Sequence, residues 1–150
     1  MAVTLTSGDS PFFDTLGLYD KGGKLAYTLE TNKDQYGKQV KLNANQLSSA
    51  GYRSGDELVF GIDVKNTKKR YFTGQADRNP DKTCHANVVA LSGGTFKVGF
   101  EDSLMPGSDL DYNDFTWTVS NLCQSCKTRT TTTEFTLPVS VHTSAKVSCL

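Results

Sequence analysis

Apolar side chains recur in this chain at every second position. Leu58, Phe60, Ile62 and Val64 form one stripe, with Gly61 and Asp63 on the opposite side. Leu25, Tyr27 and Leu29 repeat the pattern, as do Val40 and Leu42, then Phe96, Val98 and Phe100, then Phe115, Trp117 and Val119. Successive side chains of an extended strand point to opposite faces, so a period of two predicts strands that bury one face. Phe135, Leu137, Val139 and Val141 predict a late strand, which Pro138 confines to an edge or a bulge. Turn signals separate the stripes: Lys21-Gly22-Gly23, Asn32-Lys33-Asp34, Ser54-Gly55-Asp56, Arg78-Asn79-Pro80-Asp81 and Ser92-Gly93-Gly94. Only residues 43–50 suit a helix, a short one. Roughly eight to ten short strands divided in this way predict an all-β fold, a jelly-roll-like β-sandwich.

At 150 residues the chain is most simply one domain, residues 1–150, long enough to close a core. No stretch approaches the length of an apolar membrane span, so membrane insertion is not expected. The formal net charge is zero. Lys68-Lys69-Arg70 is the densest basic cluster and reads as the solvated start of a strand, which leaves nucleic-acid binding without support. Met1-Ala2-Val3-Thr4 lacks the basic start and apolar core of a signal peptide, so an extracellular placement implies a mature or recombinant piece with an added start Met.

The charge balance hides a concentration. Glu101, Asp102, Asp109, Asp111 and Asp114 fall within fourteen residues that hold no Lys or Arg. Without those five, 11 acidic residues face 16 basic ones, so the loop is an acidic site on a mildly basic body. Carboxylates this close repel one another, and protons neutralise them only well below pH 7. A hard cation does so at neutral pH, because carboxylate, amide and main-chain oxygens are the ligands of Ca²⁺. Asp109, Asp111 and Asn113 alternate, with Asp114 directly after, as in the first half of an EF-hand loop. The second half is missing: Asp114 stands where the invariant Gly belongs, Ser120 where the closing Glu belongs, and strand-like segments flank the motif. The expectation is a different Ca²⁺ loop, with Asp109, Asp111, Asn113 and Asp114 as ligands and Glu101 or Asp102 closing the shell. The bland alternative is a solvated acidic turn.

Four cysteines occur, Cys84, Cys123, Cys126 and Cys149. An even number in a loop-rich β chain favours two disulfides and an oxidising compartment over a zinc site built on Cys123-x-x-Cys126. Spacing leaves the pairing open. The run Thr128-Arg129-Thr130-Thr131-Thr132-Thr133 reads as an extended connector or edge strand, with an O-glycosylated linker as the alternative.

Val98-Gly99-Phe100-Glu101-Asp102, followed by Gly107-Ser108-Asp109-Leu110-Asp111-Tyr112-Asn113-Asp114, resembles the hallmark of a bacterial domain family of unknown function. That family occurs in secreted and surface proteins, including PEP-CTERM-anchored proteins and large repeat-containing adhesins. Tyr71-Phe72-Thr73, Asn79-Pro80-Asp81 and His85 also resemble the segment that precedes the hallmark. The resemblance covers about residues 51–119; residues 120–150 form a cysteine-bearing extension beyond it. It implies a β-sandwich, an extracellular location and Ca²⁺ held through Glu101, Asp102, Asp109, Asp111, Asn113 and Asp114. This chain departs from the pattern in the gap Ser103-Leu104-Met105-Pro106, which is less glycine-rich, and in Cys84 directly before His85.

Three functions follow in order. The first is a non-enzymatic, Ca²⁺-dependent extracellular module that binds a glycan or a cell-surface ligand, with no catalytic residue. Tyr52, Tyr71 and Tyr112 are candidates for stacking on sugar rings, although aromatic residues of a sandwich more often pack inside it. The second is a module that Ca²⁺ merely stiffens within a coat or surface fibre. The third is a glycoside hydrolase using Glu101 or Asp102 against Asp111. Acids gathered in one alternating loop suit a shared cation better than two faces of a substrate. His85 is expected to be buried and to brace the loop, for instance by bonding a liganding carboxylate.

Overall fold

A computed structural model describes residues 1–104 and 106–120 of the chain. The late strand, the threonine run, Cys123, Cys126 and Cys149 lie outside the described residues, and with them the cysteine pairing. Nine strands and one α-helix are described, with two short 3₁₀ turns at Ala76–Arg78 and Ser92–Gly94: β1 (Ala2–Ser7), β2 (Asp14–Tyr19), β3 (Leu25–Thr31), β4 (Gln39–Lys41), α1 (Ala44–Ser49), β5 (Val59–Val64), β6 (Lys69–Phe72), β7 (Ala86–Ala90), β8 (Phe96–Phe100) and β9 (Phe115–Ser120). They form two antiparallel sheets, one in the order β4-β1-β9-β8-β7 and the other β3-β2-β5-β6. The fold is a β-sandwich, as the alternation predicts. No helix among the described residues is long and apolar enough to cross a membrane.

The stripes meet between the sheets. Val3, Leu5, Val98, Phe100, Phe115, Trp117 and Val119 face inward from the five-stranded sheet, and Leu16, Leu18, Phe60, Ile62 and Val64 from the other. Trp117 sits at the centre, its ring 5.2 Å from Phe100, 5.5 Å from Phe115 and 6.2 Å from Phe60 of the facing sheet. Burying such aromatic side chains is the main driving force for closing two sheets on one another.

On the outer face of the second sheet, Gly17 of β2 pairs with Gly61 of β5. A side chain at Gly61 would come within 2.9 Å of the Tyr19 ring, which covers this face and donates a 2.9 Å hydrogen bond to Asp63. Gly61 and Asp63 therefore do lie opposite the apolar stripe of β5. Lys69 and Arg70 begin β6, with Arg70 stacked over Tyr19.

The helix forms where expected. Asn43 caps α1 by accepting from the Gln46 amide at 2.9 Å, and the Gln46 side chain accepts from the Asn43 amide in return, closing a capping box. Leu47 is its buried anchor. Sequence periodicity overlooks β1, β2 and β7. Gly17 interrupts the alternation of β2, whose neighbours are buried on both faces, and β7 buries only Val88.

Candidate functional site

The ends of β8 and β9 define the site. Phe100 pairs directly with Phe115, as their matched stripes predict, so residues 101–114 leave and re-enter the sheet at one point. The ladder extends one residue further, because the Glu101 amide donates to the His85 carbonyl at 2.9 Å. The loop then folds back across β8. A side chain on Gly99 would lie 2.1 Å from the Tyr112 carbonyl oxygen, so the loop rests on a strand position that only glycine can occupy.

Leu110 and Tyr112 adopt left-handed backbone, with φ of 61° and 56°. Such conformations cost non-glycine residues on the order of 1–3 kcal/mol each and persist where surrounding structure enforces them. They alternate with Asp109, Asp111 and Asn113. The winding brings ligand oxygens of Glu101, Asp109 and Asp111 within 4.8 Å of one another. Two oxygens on opposite sides of a Ca²⁺ ion at its usual bond length are about 4.8 Å apart, so the trio matches the size of one coordination sphere. Glu101 is buried, whereas Asp109 and Asp111 are exposed. Donors inside the loop hold Glu101 in place: the Tyr112 amide and the Ser108 hydroxyl each bond one of its carboxylate oxygens. Asn113 lies against Asp111: its main-chain amide donates to one Asp111 oxygen at 3.1 Å, and its side-chain amide donates to the other.

Asp102 and Asp114 lie elsewhere. Glu101 and Asp102 are neighbours just past the strand end, and the two-residue period sends their side chains to different partners. Asp102 accepts the Ser10 hydroxyl and, at 3.1 Å, that of Ser103; its amide donates to the Asp114 carboxylate at 2.9 Å. Across from it stands Asp14 of β2, fully buried and in contact with the Asp102 carboxyl. Burial, then the charges of Asp102 and Asp114, push the Asp14 carboxyl up to about 8. Burial, with the nearby Asp102 and Glu101 charges, pushes Asp114 up to about 7 even though the Asp102 amide bond acts the other way. The five expected carboxylates thus divide into two groups, and Asp14 lies beside the second. Nothing in the spacing around Asp14 signals this position, since β2 reaches Asp102 only through the packing of the two sheets.

His85 is buried, as expected, but its ring bonds none of the six side chains. Its Nδ1 lies 3.1 Å from the Glu101 carbonyl oxygen, its Nε2 lies 3.0 Å from the Asp81 carboxylate, and its ring stacks on Tyr71 at 3.9 Å. It braces the loop through the Glu101 main chain, and its carboxylate partner is Asp81. Tyr52, Tyr71 and Tyr112 are all buried and offer no open ring to a sugar. The Tyr52 hydroxyl bonds the Tyr19 carbonyl and accepts the Val59 amide at 3.0 Å.

Comparison with protein-family models, with curated proteins and with solved structures finds no match for the chain.

Proposed function

We propose that this chain is a calcium-binding extracellular β-sandwich module that uses an exposed ion for adhesion or for Ca²⁺-dependent binding of a glycan or surface. The observation that carries the reading is the trio Glu101, Asp109 and Asp111, three carboxylates converging at one point with two of them open to solvent. Glu101 would form the floor of the site and the two aspartates its rim. Coordination positions left open at the rim would go to water or to sugar hydroxyls, the ligands a hard cation prefers. Because the neighbouring aromatic rings are buried, recognition would rest on the ion and polar groups rather than on stacking. The extracellular placement rests on the hallmark resemblance and on the cysteine content, with disulfides as the expected state of the thiols.

No catalytic role is assigned. A glycoside hydrolase sets its two carboxyl groups about a scissile bond, whereas these three share one point, and Glu101 is engaged by two donors from its own loop. The same engagement supports the second reading, in which the ion only stiffens the module. Calorimetric titration of chelator-stripped protein with Ca²⁺, repeated on Asp111→Ala, tests the site itself. Wild type should bind with an affinity in the micromolar to millimolar range, and the variant should lose that event. A glycan array with and without Ca²⁺ then separates the readings: Ca²⁺-dependent retention supports the binding role, and a thermal shift with no retention supports the structural one.

A further inference from the structure

Beside β6, the edge strand of the second sheet, the charge has the opposite sign. Lys68, Lys69 and Arg70 meet Arg78 and Lys82 around an open groove of about 540 Å³, with Asp77 the one carboxylate in its lining. Arg70 is paired with Asp63 at 2.6 Å, and Arg78 with Glu57. The Lys82 ammonium bonds only a carbonyl oxygen, that of Asp77, at 3.0 Å. Among the described residues no carboxylate pairs with Lys68, Lys69 or Lys82. Set against Asp77, those three lysines leave the groove two positive charges in excess. Lysines on an edge strand also discourage strand pairing, but that role does not bring Lys82 from another segment to the same groove. Lys68 and Lys82 both hold left-handed backbone, with φ of 56° and 59°. Among the described residues the other two non-glycine positions of this kind, Leu110 and Tyr112, shape the acidic loop. Strained backbone of this sort gathers where ligands are clamped.

The groove is not walled by charge alone. Phe72 and Pro80 also line it; Phe72 is half-buried and meets the Tyr19 ring edge-on at 5.0 Å. A second cavity, of about 570 Å³, shares Gly23, Phe72 and Arg78 with the first and adds Asp20 and Glu57. The geometry points to these adjoining cavities as a binding site for an acidic oligosaccharide, one that carries carboxylates or sulfate esters. The lysines would answer the anionic groups, and the open part of the Phe72 ring would take the apolar face of a sugar. Asp77, Asp20 and Glu57 would accept from sugar hydroxyls. The same carboxylates would repel the evenly charged backbone of a nucleic acid. This site needs no ion and does not rest on Ca²⁺ binding at the acidic loop.

The test uses the full chain in EDTA, which keeps Ca²⁺ from the acidic loop. Calorimetry measures binding to oligogalacturonate, sulfated dextran, neutral dextran, polyglutamate and a single-stranded oligonucleotide. At least one of the two acidic saccharides should bind roughly tenfold more tightly than the other three probes, and which one does so identifies the anionic group. The double variant Lys68→Gln/Lys69→Gln, at two exposed positions, should weaken that binding roughly tenfold. Phe72→Leu should weaken it roughly threefold, the loss expected from one aromatic contact. Asp111→Ala should leave it unchanged, so failure of the Ca²⁺ site and failure of the groove are read separately. Absence of binding to both acidic saccharides would overturn the inference, as would equal binding of the oligonucleotide or polyglutamate. So would an unchanged affinity in Phe72→Leu, which would leave only a charged patch, or a loss in Asp111→Ala, which would move the site to the loop. Amide shifts on wild type cover the case in which Phe72→Leu fails to fold. The acidic saccharide should move the Gly23, Phe72 and Lys82 amides, and shifts confined to residues 101–114 would overturn the inference.

Discussion

Glu101 and Asp102 are adjacent in sequence, alike in charge and both buried, yet they belong to different parts of the molecule. Glu101 turns toward the loop, where Tyr112 and Ser108 bond it and the exposed Asp109 and Asp111 converge on it. Asp102 turns toward the sandwich, where Ser10, Asp114 and Asp14 surround it. The first group is local, made by winding one loop. The second is assembled from β2, the β1–β2 connection and both ends of the loop. A local group can open to solvent and meet a ligand. One enclosed between sheets is shut off from such a ligand.

The largest effect is expected from removing the seat on which the loop rests. Gly99→Val places a branched side chain against the Tyr112 carbonyl and should lower stability by ~3 kcal/mol, the upper range for overpacking. Thermal unfolding would measure it. Because Tyr112 positions Glu101 and precedes Asp114, Ca²⁺ should no longer rescue the variant. A normal Ca²⁺ response would show that neither acidic group needs the loop seated on β8.

Ca²⁺ at a hundred times its dissociation constant should stabilise the wild-type chain by ~2.7 kcal/mol per site. Asp109→Asn should cut into that gain while leaving the metal-free protein almost unchanged, since Asp109 is exposed. Denaturant unfolding with EDTA and with excess Ca²⁺ gives both numbers.

A more gradual effect concerns pH. In metal-free protein, Asp14 is raised from 3.8 to about 8 and Asp114 from 3.8 to about 7. Across that window the folded chain keeps protons that the unfolded chain has released, so stability is greatest near pH 4 and falls as pH rises toward 8. Urea midpoints between pH 5 and 8 should decline without metal. A flat metal-free profile would mean that the buried carboxyls titrate normally.

The smallest effect is a control. Asn43→Ala removes the cap of α1 and should cost ~1 kcal/mol. It should do so equally with and without Ca²⁺, because the cap's hydrogen bonds run between Asn43 and Gln46 alone. A change in the Ca²⁺ increment would reveal coupling across the sandwich.

Much of this was legible in the chain. The stripe at Leu58, Phe60, Ile62 and Val64 forecasts β5, and the matched aromatics forecast the Phe100–Phe115 pairing. Asn43 and Gln46 mark the helix start, because a capping box is a local chemical pattern. Alternation overlooked β2, where Gly17 and Gly61 leave room for the Tyr19 ring and so break the stripe for a reason lodged in another strand. The five acids between residues 101 and 114 stand out in the sequence, but their division into two groups was not legible.

By itself the sequence determined that the chain is a sandwich of short strands with its acids gathered at one strand-to-strand crossing, because period, turns and charge are properties of neighbours. Tertiary structure decided that Asp14 faces Asp102, that His85 grips the Glu101 main chain and that the tyrosines turn inward. Those outcomes depend on residues far apart in sequence, which meet only when burial of the apolar stripes draws the two sheets together.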